Sequence, residues 1–202
     1  MKKLFYIILA AAIVFLGYKL FLSSSRTGSA KIPYETIICF GDSLTYGNGA
    51  GEGRDYPSQL STMIGKPVVN AGVPGDTTAR ALKRLDSDVL SKSPDLVLIT
   101  LGGNDLKNGV AKDLAFNNLR KIVESIQHAG AKVIIGGLRF PLQDRGFGSA
   151  YRQLAEDTGA VLIPDIYKDI MGNRKLMSDP IHPNGDGYRI MAQRFREAIM
   201  AQ

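Results

Sequence analysis

Cysteine is almost missing from this 202-residue chain: Cys39 stands alone. That excludes an internal disulfide and any cysteine-based zinc site. Histidine is scarce too, and with only His128 and His182 a multi-histidine metal centre is hard to build. Tryptophan is absent, from which nothing follows. Acidic residues are missing from the first 34 positions, where Lys2, Lys3, Lys19, Arg26 and Lys31 stand; Glu35 is the first carboxylate. The formal net charge of +6 therefore belongs mostly to that segment, because 20 basic residues face 19 acidic ones in the rest. A nearly neutral body lacks the basic face that phosphate binding needs, which sets nucleic acid aside as a partner. The remaining composition, 45% hydrophobic and 22% charged, is that of a globular protein. The length fits one compact domain with chain left over for an appendage.

A long uncharged run occurs once. Leu4 to Tyr18 carries no charge, and if Lys19 snorkels the stretch extends to Leu22. Its 19 residues at ~1.5 Å each make about 28 Å of helix, close to the bilayer core. An uncleaved anchor fits that length better than a cleaved signal peptide, whose best site, Gly28-Ser29-Ala30, lies well past the apolar run. Secretion after cleavage stays as the alternative. Positive residues flank the run on both sides, so they give little orientation. The small, polar stretch that follows reads as a linker. The expected organisation is an anchor or signal segment over 1–22, a linker over 23–34 and a soluble body over 35–202.

In that body, short β-branched runs alternate with segments of helical period. Thr36–Phe40, Pro67–Asn70, Leu96–Leu101, Val133–Gly136 and Val161–Pro164 are apolar without alternation, as strands buried on both faces are. Between them Ala115, Leu119, Ile122 and Ile126 recur at helical spacing, as do Leu82, Leu85 and Val89, and Tyr188, Met191, Phe195 and Ile199. Gly130 and Gly159 sit where helix C-caps belong, and Asp76 is a plausible N-cap. Strand–helix alternation with short connections predicts right-handed crossovers: an α/β fold, a three-layer α/β/α sandwich on a five-stranded parallel sheet. In such sheets, function gathers at the carboxyl ends of the strands.

The first strand runs into Gly41-Asp42-Ser43-Leu44. A serine at a strand-to-helix turn can present its hydroxyl as a nucleophile, although alone it is equally an ordinary turn residue. The second run ends at Asn70-Ala71-Gly72, where a glycine either lets a backbone N–H approach a ligand or simply makes a turn. The third ends at Gly102-Gly103-Asn104-Asp105, and the Asn104 amide is either an oxyanion donor or an Asx turn. Asp179-Pro180-Ile181-His182 precedes the last helix. A carboxylate there can accept from one imidazole nitrogen and leave the other as a base, or the two can form a solvated pair. His128, in the last turn before Gly130, suits the helix dipole and is discounted as a catalytic residue.

These blocks, GDSL at 41–44, NAGVPGDT at 70–77, LGGND at 101–105 and DPIHPN at 179–184, resemble the SGNH hydrolases, also called the GDSL lipase/esterase family. They span almost the whole body. Within the family the likeness is nearest to the bacterial arylesterase, acyl-CoA thioesterase and lysophospholipase subgroup. The resemblance implies a flavodoxin-like sheet, Ser43 as nucleophile, His182 as base and Asp179 as its orienter. It also implies an oxyanion hole from the Ser43 and Gly72 backbone N–H groups and the Asn104 side chain. No metal or cofactor is called for. Pro180, where many relatives carry another residue, leaves both side chains of the pair intact.

The expected reaction is acyl transfer to serine and then to water, with short to medium acyl esters and thioesters as small-molecule or lipid substrates. Removal of acetyl groups from polysaccharide is the alternative, and a non-catalytic binding module a remote one. The glycine-rich loop from Tyr46 to Arg54 has no phosphate-loop spacing and is expected to rim the acyl groove. Tyr46, Leu106, Phe140, Leu142 and Phe147 are the expected acyl contacts, with packing beneath the loops as the competing role. The chain is expected to be a monomer, held at a membrane by one helix, its body exported as such relatives usually are.

Overall fold

The structure is a computed structural model that describes residues 32–139 and 144–202. The expected anchor, most of the linker, and Phe140 and Leu142 lie outside the described residues. Among the described residues, no helix is long and apolar enough to cross a membrane.

Five parallel strands form one sheet: β1 (Ile37–Gly41), β2 (Val68–Gly72), β3 (Leu96–Thr100), β4 (Lys132–Gly136) and β5 (Val161–Ile163), in the order β2-β1-β3-β4-β5. Each falls on one of the five apolar runs. β1 and β3 are buried along their whole length, as covering of both faces demands. β2 and β5 are only partly buried, because they are the two edges and lack a neighbour on one side. Burial of Ile38, Phe40, Leu98 and Ile99 stabilises the centre by about 1.5–3 kcal/mol per side chain.

The described helices are α1 (Ser43–Tyr46), α2 (Tyr56–Ile64), α3 (Thr78–Asp88), α4 (Gly103–Lys107), α5 (Lys112–His128), α6 (Phe147–Thr158) and α7 (Gly185–Met200). α2 packs on α7, while α5 packs on both α3 and α6, which gives the two outer layers. α5 buries Ala115, Leu119, Ile122 and Ile126, and α7 buries Tyr188, Met191, Phe195 and Ile199, the residues whose spacing predicted each face. The expected cap of α3 is displaced by one residue. Thr77 is the N-cap, its hydroxyl accepting from Arg80 N, and the Asp76 carboxylate turns away to Arg84.

Chain entry to the sheet is fastened. Asp95 Oδ2 accepts from the peptides of Glu35 (2.8 Å) and Thr36 (2.7 Å), and Lys66 Nζ donates to the Tyr34 carbonyl at 2.8 Å. Ile32, at the linker end by composition, is buried against the core.

The strand order reverses between β1 and β3, since β2 lies on one side of β1 and β3 on the other. That switch point leaves a crevice beyond the carboxyl ends of these two strands.

Candidate active site

Ser43 stands at the crevice because β1 ends at Gly41 and α1 begins two residues later. Asp42 caps α1, its Oδ1 accepting from Leu44 N at 3.0 Å. The turn lifts the Ser43 hydroxyl to 3.0 Å from His182 Nε2. His182 Nδ1 lies 2.7 Å from Asp179 Oδ2. The other oxygen of Asp179 accepts from the peptides of Ile181 (2.8 Å) and His182 (2.7 Å), so acid and imidazole share one tight turn. Partial burial works to raise the Asp179 pKa, but the hydrogen bonds from the His182 ring and the two peptides outweigh it and hold the carboxyl below its usual value. Facing an ionised carboxylate, Nδ1 carries the proton, which leaves Nε2 as the acceptor for the serine hydroxyl.

The turn itself is braced. The His182 carbonyl accepts from Ser178 N at 2.9 Å and from Ser178 Oγ at 3.0 Å. Tyr167 donates its hydroxyl to the Ile181 carbonyl at 2.5 Å. Asn184 caps α7 and also donates to the Lys175 carbonyl at 2.9 Å.

Asn104, on the first turn of α4 after β3, donates through Nδ2 to the Asp76 carbonyl at 2.9 Å and to Asp42 Oδ2 at 3.1 Å. Asp42 is buried and forms no ion pair among the described residues. Burial pushes its pKa up to about 7, the Leu44 peptide pulling back and the carboxylates of Asp76 and Asp105 adding to the rise.

The structure does not support Gly72 as a donor. Its N–H is taken by Asn70 Oδ1 at 3.0 Å, and its Cα packs so tightly on α1 that a Cβ would stand 2.1 Å from Tyr46 N. Gly72 is in the glycine-requiring position of a packing contact. The same block contains a second glycine. Val73 to Asp76 closes a turn, with Asp76 N donating to the Val73 carbonyl at 3.1 Å and Gly75 at φ +80°, a conformation suited to glycine. The peptide N–H groups of Ser43 and Gly75 donate to no described residue.

A cavity of about 220 Å³ opens beside the serine, with Ser43, Asn104 and His182 on its polar side. Leu44, Leu106, Leu138, Tyr167 and Ile181 supply apolar wall. Of the expected acyl contacts that are described, only Leu106 lines it. Tyr46 is 57% exposed at the end of α1, away from the cavity. Phe147 is buried at the start of α6, edge-on to Phe116 at 5.2 Å, and serves the core. No residue of the glycine-rich loop lines this cavity. The loop is tied to α7 by the Tyr188 hydroxyl, which donates to the Asn48 carbonyl at 3.0 Å, and by the Arg54–Asp186 ion pair at 2.6 Å.

Sequence reasoning missed Leu138, Tyr167 and Ile181 as cavity wall. Leu138 and Tyr167 lie two and four residues beyond the ends of β4 and β5, and Ile181 sits inside the quoted DPIHPN block. The rule that directs attention to strand ends covers the first two.

A serine hydroxyl, an imidazole and a carboxylate in hydrogen-bond series beside an apolar cavity form a constellation suited to hydrolytic acyl transfer. Residues 39–190 match the GDSL-like lipase/acylhydrolase family, and the chain belongs to it. It is a carboxylic ester hydrolase on the SGNH-hydrolase fold. Thioesterase 1/protease 1/lysophospholipase L1 of Escherichia coli is 29% identical over 166 residues, which cover 78% of this chain and 80% of that protein. An arylesterase of Vibrio mimicus is 29% identical over 189 residues, covering 88% of this chain and 93% of its own. The crystal structure of AlinE4, an SGNH-hydrolase family esterase, superposes with a TM-score of 0.67 at 32% identity, over 83% of this chain and 95% of that one.

Proposed function

We propose that the protein is a serine esterase that cleaves carboxylic esters and thioesters of short to medium acyl chains through an acyl-enzyme on Ser43. The observation that carries this reading is the series Ser43 Oγ–His182 Nε2 at 3.0 Å and His182 Nδ1–Asp179 Oδ2 at 2.7 Å, set against the apolar cavity. As Oγ bonds to the ester carbonyl carbon, His182 Nε2 takes its proton and Asp179 stabilises the imidazolium. The carbonyl oxygen becomes an oxyanion that accepts from Ser43 N–H and from the Asn104 amide, one of whose hydrogens leaves Asp42 Oδ2 or the Asp76 carbonyl to reach it. We assign the third donor to the Gly75 N–H in place of Gly72, whose N–H is occupied. Collapse breaks the bond to the alcohol or thiol, which leaves with the proton from Nε2. Water then repeats the sequence on the acyl-enzyme and frees the acid.

The limited cavity volume and its leucine, isoleucine and tyrosine walls favour a modest acyl chain. The run from Leu4 to Leu22, uncharged except for Lys19, supports a chain held at a membrane by an amino-terminal helix, and we take the hydrolase body to be exported and monomeric. Alkaline carbonate extraction of membranes and amino-terminal sequencing test that placement. Retention in the pellet with an intact start fits it, and a soluble, shortened chain replaces it with secretion.

The full chain and its Ser43→Ala variant, assayed on p-nitrophenyl esters from acetyl to palmitoyl, acyl-CoA and lysophosphatidylcholine, test the chemistry. Activity that peaks at short to medium chains and vanishes in the variant is the expected result. Turnover confined to acetyl esters moves the substrate to acetylated polysaccharide. Hydrolysis that survives Ser43→Ala overturns the acyl-enzyme.

A further inference from the structure

Arg84, on α3, takes part in no step described above, yet its side chain is only 16% exposed and almost every donor on it is engaged. Nε donates to Asp76 Oδ2 at 2.6 Å. One terminal nitrogen donates to the Ala71 carbonyl at 3.0 Å and to Asp88 Oδ2 at 2.8 Å, and the other to the Gly41 carbonyl at 2.9 Å. The guanidinium lies 4.5 Å from the centre of the Phe40 ring. A planar fork can meet four acceptors in fixed directions, which the single ammonium of a lysine cannot do.

The acceptors are the notable part. Gly41 is the last residue of β1, two positions before Ser43, and its carbonyl also accepts from Val73 N at 3.0 Å. Ala71 is at the end of β2, just before the turn that carries Gly75. Asp76 closes that turn, and its own carbonyl receives the Asn104 amide at 2.9 Å. Arg84 therefore reaches, within one hydrogen bond and a few covalent bonds, each segment that bears an oxyanion donor. An ion pair made only for helix stability needs none of these carbonyls. Asp88, one turn along α3, offers such a pair and has no connection to the crevice.

We propose that Arg84 is a positioning residue of the esterase site, a clamp on the ends of β1 and β2 and on the 73–76 turn that sets the mutual geometry of the Ser43, Gly75 and Asn104 donors. The proposal rests on the acyl-transfer reading above. Arg84 acts where the oxyanion forms and not where the acyl chain binds, so its loss appears in kcat and spares KM.

The test is a double-mutant cycle in the full chain on p-nitrophenyl butyrate, at a temperature well below the measured unfolding midpoint of every variant. Arg84→Ala is expected to lower kcat about tenfold to a hundredfold, as small misplacements at an active site do, with KM changed by less than about twofold. In the Asn104→Ala background the same substitution is expected to lose clearly less than in the native background, because one of the three donors it positions is already gone. Asp88→Asn is expected to leave kcat unchanged. If Arg84→Ala does not fold, Arg84→Lys carries the same cycle, keeping a charge opposite Asp76 but unable to span both strand-end carbonyls. A kcat within about twofold of the native value, an undiminished loss in the Asn104→Ala background, or an equal loss in Asp88→Asn overturns the clamp. Turnover that persists in Ser43→Ala removes the reading beneath it. A Ser43-dependent enzyme indifferent to Arg84 removes the clamp alone.

Discussion

Asn104 and Asp42 meet through a 3.1 Å hydrogen bond from Nδ2 to Oδ2 in which the acceptor is a buried carboxyl with no cation partner among the described residues. The second Nδ2 hydrogen goes to the Asp76 carbonyl, so the amide has both hydrogens committed before substrate arrives. This holds the amide in one orientation, and donation to an oxyanion requires that one of the two hydrogens leave its present acceptor. It also ties the titration of Asp42 to the stability of the crevice.

Because folding raises the Asp42 pKa from 3.8 to about 7, its contribution to stability is fully present below about 4 and lost as pH rises through 7. The span corresponds to an effect on the order of a few kcal/mol. Asp42→Asn keeps an acceptor for the Leu44 peptide and removes the titration. Urea midpoints measured from pH 4 to pH 9 are expected to fall for the native chain relative to the variant, most steeply between pH 4 and 7. Parallel profiles would contradict the assignment.

Asp179→Asn should leave the turn folded, since an amide oxygen can still accept from the Ile181 and His182 peptides. The His182 tautomer is no longer enforced, and kcat is expected to drop by about 10³–10⁴-fold with little change in KM. Steady-state kinetics on a p-nitrophenyl ester reads this directly. A loss below tenfold would mean that Asp179 does not orient the base.

Asn104→Ala removes a donor that the transition state uses and the ground-state ester does not. The expected cost is ~2.7–4 kcal/mol in kcat, or about a hundredfold to a thousandfold. Labelling of Ser43 by a fluorophosphonate should slow in the same variant, because that adduct also places an oxygen toward the donors. Unchanged labelling together with unchanged kcat would place the oxyanion elsewhere.

Leu138→Phe adds volume to the cavity wall and replaces none of Ser43, His182 and Asn104. The chain-length profile is expected to shift toward acetyl and propionyl esters, and the larger side chain should cost about 1–3 kcal/mol of stability by overpacking. An unaltered profile would show that the acyl chain runs along another wall.

Much of this architecture is legible in the linear pattern. Central strands must be apolar on both faces, so TIICF and LVLITL advertise themselves, and the edge strands are legible only because they too lack charges. The Asp179–His182 spacing of three survives folding because the whole pair lies on one turn. What is not legible depends on contacts across the sheet. Gly72 and Gly75 stand in the same sequence block, and only the folded chain separates them, through the Asn70 bond to the Gly72 N–H and the packing of Tyr46 on Gly72. Phe147 reads as a groove residue from its place beside a loop, but Phe116 and Tyr151, both edge-on to one another, draw it into the core side of α6. Arg84 carries no local signal at all, since its acceptors are separated from it by up to 43 positions.

The brace around Asp179 and His182 makes acid and base a single moving part. The carboxylate is bonded to the ring and to the peptide of the same histidine, so a shift of the 178–184 turn carries both together and leaves their 2.7 Å contact intact. The seam of the machinery lies instead across 139 positions of sequence, between His182 Nε2 and Ser43 Oγ. A displacement of that turn by an ångström or two would silence the serine while the carboxylate and the imidazole stayed assembled, so an idle enzyme of this design has nothing to rebuild before it can work again.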